Sequence, residues 1–194
     1  MSQHHLCLST DRSLYASAKS TQLHMNDNNY GPSVAIDDQN HPLSGRETDG
    51  ATGKPGSFIS GGGSGVPKFQ RGWIEISLTE PTELMGLQVA ASCFYLSNFP
   101  NGFLGKFKIR AGLTTISKSQ NDASDNELNE YPVVGIYDGE NLMDCKIAYL
   151  TFEYTVKAKY VLLQADWSSQ GLFSLSEVRF LRGTNKKENR FVLE

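Results

Sequence analysis

AKYVLLQADWSSQGLFSLSEVRFL, residues 158–181, holds two strand-type runs around a short polar loop. Residues 160–165 form an almost unbroken apolar run, whereas residues 173–181 set Leu175, Val178 and Phe180 among Ser174, Ser176, Glu177 and Arg179. That spacing predicts one buried face and one wet face in the second run. The loop between them carries Trp167 with polar neighbours on both sides. Glu177 is a single carboxylate in a strand otherwise built for a core, and a buried acid requires a metal, a cation or hydrogen-bond donors as its partner.

Outward from this stretch the same grammar repeats. Short runs rich in β-branched and aromatic residues alternate with Gly, Asn, Asp, Ser and Pro, and helical periodicity is nearly absent. Strands are predicted near residues 33–36, 72–78, 84–96, 105–111, 132–137, 142–154, 160–165 and 173–181. In the second of these, Trp73, Ile74, Ile76 and Leu78 are apolar, with Glu75 and Ser77 on the other face. Phe107 and Ile109 alternate with Lys106, Lys108 and Arg110 in a half-buried pattern. Many short strands spaced by turn signals predict an all-β, antiparallel jelly-roll β-sandwich. Two long polar segments interrupt them, 37–71 with the glycine run 61–65, and 114–130 with Asp122, Asp125, Glu127 and Glu130. Loops of that length in a compact domain are functional or mobile.

Composition narrows the function. The 194 residues carry a net charge of −3 and no long basic stripe, so nucleic acid is not an expected partner. Three cysteines, Cys7, Cys93 and Cys145, leave an odd one, and the reading is buried reduced thiols, not a disulfide framework. No Asn-x-Ser/Thr acceptor, signal-peptide core or bilayer-length apolar run occurs in the chain as given. The expectation is therefore a cytoplasmic protein or a fragment of a larger secreted or surface protein. One domain of 194 residues is expected, with a core at about 33–182, an N-terminal extension at 1–32 and a C-terminal tail at 183–194. Catalysis is not expected. Three of the four histidines precede residue 33, the glycine run lacks a phosphate-loop ending, and adjacent acids such as Asp37 and Asp38 point apart on a strand.

Read in order, SVAIDDQ (33–39), GWIEISL (72–78), GKFKIRAG (105–112), VKAKYVLLQA (156–165) and LSEVRFL (175–181) resemble the discoidin, or coagulation factor 5/8 type C, family. That family belongs to the galactose-binding-like superfamily, which also contains carbohydrate-binding modules. The match spans about residues 33–182 and departs from the pattern at several points, among them Cys7, which has no C-terminal counterpart for the disulfide that ties the ends of many extracellular members. Asp37-Asp38 follows the Ala-Ile directly, Phe58 stands where a tryptophan is usual, and the segment 40–71 is expanded.

The resemblance implies a structural calcium ion near the Ala-x-Asp turn, which assigns Asp37, Asp38 and Asn40, with Glu177 from the last strand, as candidate ligands. Calcium takes about six to eight hard oxygens at roughly 2.3–2.6 Å, the kind such groups supply. The alternative is that Asp37 caps a turn while Glu177 meets an arginine or water. It also implies a ligand surface on loops at one end of the sandwich. Candidate aromatic contacts are Tyr95, Phe99 and Trp167, with Phe103 and Phe173 as further rings, and candidate polar contacts are Asn98, Asn101, Asp166 and Gln170. Arg46 and Arg71 are suited to an acidic sugar or a carboxylate. The function implied is a non-catalytic, lectin-like carbohydrate-binding module whose partner is a glycan or glycoconjugate. The alternative is an intracellular protein–protein interaction or adaptor domain using the same loops. Membrane insertion through Phe99 and Phe103 ranks low, because no basic cluster adjoins them.

Overall fold

A computed structural model of the chain describes residues 6–8, 12–20, 32–36, 48–49, 54–55, 58–59, 72–91, 102–115, 130–140, 142, 146–166 and 172–183. Its strands are β1 (Leu6–Leu8), β2 (Tyr15–Ser20), β3 (Thr48–Asp49), β4 (Lys54–Pro55), β5 (Phe58–Ile59), β6 (Trp73–Ala91), β7 (Gly102–Phe103), β8 (Phe107–Gly112), β9 (Val133–Tyr137), β10 (Ile147–Ala165) and β11 (Leu172–Gly183). Among the described residues no α-helix occurs, in line with the missing 3.6-residue periodicity.

Two 19-residue strands, β6 and β10, form the spine. They pair antiparallel along most of their length. The first half of β6 also pairs with β2, and its second half with β11. The last residues of β10 pair with β8, which pairs in turn with β9. A front layer, β2-β6-β10-β8-β9, and a back layer, β1-β11-β6-β10, therefore share the same two strands.

The side-chain pattern shows how one ribbon serves both layers. In β6, core residues fall on Ile74, Ile76, Leu78 and Leu84, then switch parity to Leu87, Val89 and Ala91. In β10 they fall on Phe152 and Ala158, then switch to Val161, Leu163 and Ala165. Each switch coincides with a break in pairing register, between Thr151 and Val156 and between Ala158 and Tyr160. A side-chain period of two allows such a change of face only where a residue is inserted. Between the two halves, Thr79–Pro81, Glu83 and Glu153–Thr155 are exposed where the ribbon turns over. Gly86 sits at that turn, and a Cβ there would strike the Leu150 carbonyl oxygen and lie 2.9 Å from the Thr151 Cα.

Several expectations change. Residues 72–78 and 84–91 are one bent strand, as are 147–154 and 160–165, because the exposed polar stretches between them remain paired or bulged within the ribbon. Residues Pro32–Ile36 form a 3-10 turn where a strand was expected; the turn packs against β2 and β11, and Ala35 is fully buried in the core. Residues 6–8 and 15–20, expected to lie in an extension, pair as β1 and β2 with β11 and β6.

The supposed wet face of β11 is dry: Ser174, Ser176 and Glu177 are 1%, 1% and 2% exposed. The three-residue step from Leu175 to Val178, both in the core, is a bulge. Leu175 opposes Ala91 and Glu177 opposes Ala90, so Ser176 is the extra residue. The Ser176 hydroxyl lies 2.8 Å from the Ala91 carbonyl and 3.3 Å from that of Ala90, capping acceptors at the bulge.

Replacement of Gly86 by alanine is expected to destabilise the protein by about 1–3 kcal/mol, the cost of forcing atoms into filled space. Thermal and urea unfolding followed by circular dichroism measures this, and an unchanged midpoint would contradict the close approach of the two strands.

Candidate functional site at the loop end of the sandwich

Because the β6–β10 ribbon folds over, both termini of β6 lie at one end of the sandwich. The Ala165 amide donates to the Gly72 carbonyl (2.8 Å) beside the start of β6, and the Ala91 amide donates to the Lys146 carbonyl (2.9 Å) at its finish. Across the layers, Phe107 of β8 meets Phe173 of β11 edge-on at 6.1 Å. Three connections therefore converge here: 92–101 after β6, 138–146 between β9 and β10, and 166–171 between β10 and β11. Their feet are fixed. Gly102–Phe103 pairs in parallel with Leu172–Phe173, and Leu104 exchanges backbone hydrogen bonds with Leu142 at 2.9 and 3.0 Å.

In sequence, the first and third connections carry most of the candidate contacts. Tyr95, Asn98, Phe99 and Asn101 belong to the first connection, and Trp167 and Gln170 to the third; these six, with Arg46 and Arg71, lie outside the described residues. Asp166 is described, half-buried, with its amide donating to the Lys106 carbonyl (2.8 Å). Phe173 is 4% exposed and belongs to the core, so it offers no free ring to a ligand. At the same end Phe107 stacks on Tyr137 at 5.2 Å, and the Tyr137 hydroxyl donates to the Glu140 carbonyl (2.6 Å), closing the turn that bears Asp138. Lys106 is ion-paired with Asp138; that hydrogen bond, the Asp138 charge and, more weakly, Asp166 raise the affinity of its amine for a proton.

Of the candidate calcium ligands, Glu177 alone is described. It opposes Ala90 on the outer face of the back layer, adjacent in the chain to core-facing Val178. Asp37, Asp38 and Asn40 lie outside the described residues, immediately after the 3-10 turn that packs on β11. Among the described residues no group of three or more His, Cys, Asp or Glu is placed to hold a metal.

Sequence reading missed a second buried acid. Glu75, on the outer face of the front layer, is 2% exposed. One rung sets Lys19, Glu75, Leu162 and Arg110 side by side on β2, β6, β10 and β8. Lys19 Nζ lies 3.1 Å from Glu75 Oε1 and donates to Thr115 Oγ1 (2.6 Å), whose own hydroxyl donates to Glu75 Oε1 (2.7 Å). The Tyr131 hydroxyl lies 3.2 Å from Glu75 Oε2 and bonds the Thr114 carbonyl. Arg110, buried where a wet position was expected, donates to Gln164 Oε1 (3.0 Å) and to the Tyr131 carbonyl (2.6 Å). Trp73, Leu162 and Tyr131 form a small second core beside these groups. Tyr131 reaches that position because residue 112 is glycine: a Cβ there would stand 2.6 Å from its ring. The network closes the stem of the acidic segment 116–129 onto the sheet, and its burial marks it as structural. An acid within the apolar run WIEISL was the one available signal.

No protein-family profile and no curated protein matches this chain in sequence. Solved structures match it in fold. The F5/8 type C domain of a Bacteroides fragilis protein superposes with a TM-score of 0.61 at 15% identity, over 92% of this chain and 97% of that one. The family 32 carbohydrate-binding module of Clostridium perfringens NanJ, solved with galactose, gives 0.59 at 14% identity over 92% and 100%. A serum fucolectin of striped bass, Morone saxatilis, gives 0.58 at 14% identity over 88% of this chain and 48% of that one. At such identities the likeness establishes the fold alone, the antiparallel β-sandwich that these domains share.

Burial, and then the neighbouring Glu75 charge, raise the pKa of Tyr131 well above its ordinary value of 10.0. Its neutral form is favoured in the folded state, so its contribution is complete below about pH 10, the unfolded value. That contribution falls as pH rises beyond 10 toward the folded value. Tyr131→Phe is expected to cost about 0.5–1.5 kcal/mol at pH 8 and to flatten the alkaline loss of stability. Urea unfolding between pH 8 and 11 tests this, and an identical alkaline slope in the variant would refute it.

Proposed function

We propose that this chain is a non-catalytic glycan-binding domain that holds its ligand at the loop end of the sandwich. The observation that carries this reading is topological. The folded β6–β10 ribbon delivers 92–101 and 166–171 to one rigidly anchored end, in a fold whose structural neighbours include a module solved with galactose and a fucolectin. Sites of this kind use rings against the apolar face of a sugar and a few fixed polar groups for its hydroxyls. Trp167 is the stacking ring in this reading. Tyr95 and Phe99 are further candidate rings, while Asn98, Asn101, Asp166, Gln170, Arg46 and Arg71 are candidate hydrogen-bond partners for the hydroxyls.

A glycan array probed with the purified chain tests the reading. Specific binding to a subset of glycans is expected, with Trp167→Ala weakened about tenfold or more, as loss of an aromatic anchor implies. No binding above background, with variant and parent alike, would remove it.

We also propose that Glu177 is part of a structural calcium site completed by Asp37, Asp38 and Asn40. Its support is a fully buried carboxylate at a bulge, on the strand against which the turn preceding Asp37 packs. Bulges re-aim side chains in this way. Millimolar calcium is expected to raise the melting temperature above that in a chelator, and Glu177→Gln to abolish the difference. Equal melting with and without calcium would count against the site.

A further inference from the structure

The front layer ends in a rung of alternating charge. Ala165 of β10 opposes Phe107 of β8, and Phe107 opposes Tyr137 of β9. Asp166, Lys106 and Asp138 each follow or precede these paired residues by one position, just beyond the ends of the three strands. Lys106 and Asp138 are exposed and Asp166 is half-buried, whereas Phe107 and Ala165 belong to the core. Two contacts hold the three groups together: the Asp166 amide bonds the Lys106 carbonyl at 2.8 Å, and the Lys106 ammonium is ion-paired with the Asp138 carboxylate. The Asp138 turn is itself locked by the Tyr137 hydroxyl on the Glu140 carbonyl, and a Cβ at Gly139 would stand 2.7 Å from that hydroxyl.

The pair of Lys106 with Asp138 adds little to folding. The side chains of Lys106 and Asp138 are 46% and 73% exposed, and an ion pair so open to water contributes little to folding. What the rung offers is a preorganised order of groups: acceptor, donor, acceptor, spaced as cross-strand neighbours roughly 4.5–5.5 Å apart between Cβ atoms. Carboxylates accept from hydroxyls and an ammonium donates to hydroxyl oxygens, both charge-assisted and stronger than neutral bonds. Asp166 directly precedes Trp167, so the rung adjoins the proposed stacking ring in the chain.

We propose that Asp138, Lys106 and Asp166 form a hydroxyl-reading rung that contacts adjacent hydroxyl groups of the bound saccharide and selects uncharged over carboxylated sugars. This rests on the glycan-binding reading and adds Lys106 and Asp138, which lie outside the two aromatic-bearing loops. With two acids to one base, the rung repels a sugar carboxylate.

The test uses the full chain against immobilised neutral and sialylated glycans ending in galactose, N-acetylgalactosamine or fucose, followed by calorimetric titration of the tightest neutral binder. Lys106→Met and Asp138→Asn are expected to bind about tenfold more weakly, the loss of one charge-assisted bond. Their melting temperatures should stay within about 2 °C of the parent, as for exposed substitutions, and Lys106→Arg should retain most of the affinity. Unaltered affinity in both variants, a preference of the parent for sialylated glycans, or weakened binding that merely follows a lower melting temperature would overturn the rung while leaving the glycan reading intact. A parent that binds no glycan would remove both.

Discussion

The contact between the backbones of β6 and β10 at Gly86 is where the two layers of this protein are joined. Two long strands pair as one ribbon, and the ribbon can serve both layers only if its core-facing parity reverses where it turns over. The register breaks supply the reversal, and a residue without a side chain lets the strands approach closely enough for pairing to resume. Everything that follows uses that turn. It brings Ile74 and Val89, fifteen positions apart on one strand, into the same core. It also returns the end of β6 to the level of its start, which is why three connections converge at one end.

The described residues at that end form a set of anchors for the connections. Backbone bonds from Ala91, Leu104, Ala165 and Asp166, together with the Phe107–Phe173 and Phe107–Tyr137 ring contacts, hold the feet of the loops. Binding groups set on such a frame lose less freedom when a ligand arrives. The polar groups at the frame, Lys106 with Asp138 and Asp166, directly adjoin the paired residues Phe107, Tyr137 and Ala165, so the register of the strand ends brings them near one another.

The two buried acids illustrate how much polar structure an ordinary sandwich can bury when it is satisfied. Glu75 gathers a lysine, a threonine and a tyrosine, so its charge is neutralised and its oxygens are bonded. The tyrosine follows the segment 116–129 in the chain and bonds the Thr114 carbonyl that precedes it, so the two flanks of that segment meet at the sheet. Glu177 is buried by different means, at a bulge that shifts it one place along β11.

Much of the fold was legible in the sequence. Alternation in 72–78 and 105–111 located strands and their core faces, and Leu175, Val178 and Phe180 are indeed in the core. The break in alternation between Leu175 and Val178 was itself the bulge, although local reading took the remaining polar residues as a wet face. Of the candidate site, the sequence determined the residue types and the chain order that set Asp166 beside Trp167. It did not reveal Lys106 and Asp138 as neighbours, or that Glu75 and Arg110 are dry. A local pattern reports which side chains share a face of one strand. Which strands adjoin, and what covers their outer faces, depends on contacts between residues far apart in the chain, and only tertiary structure decides those.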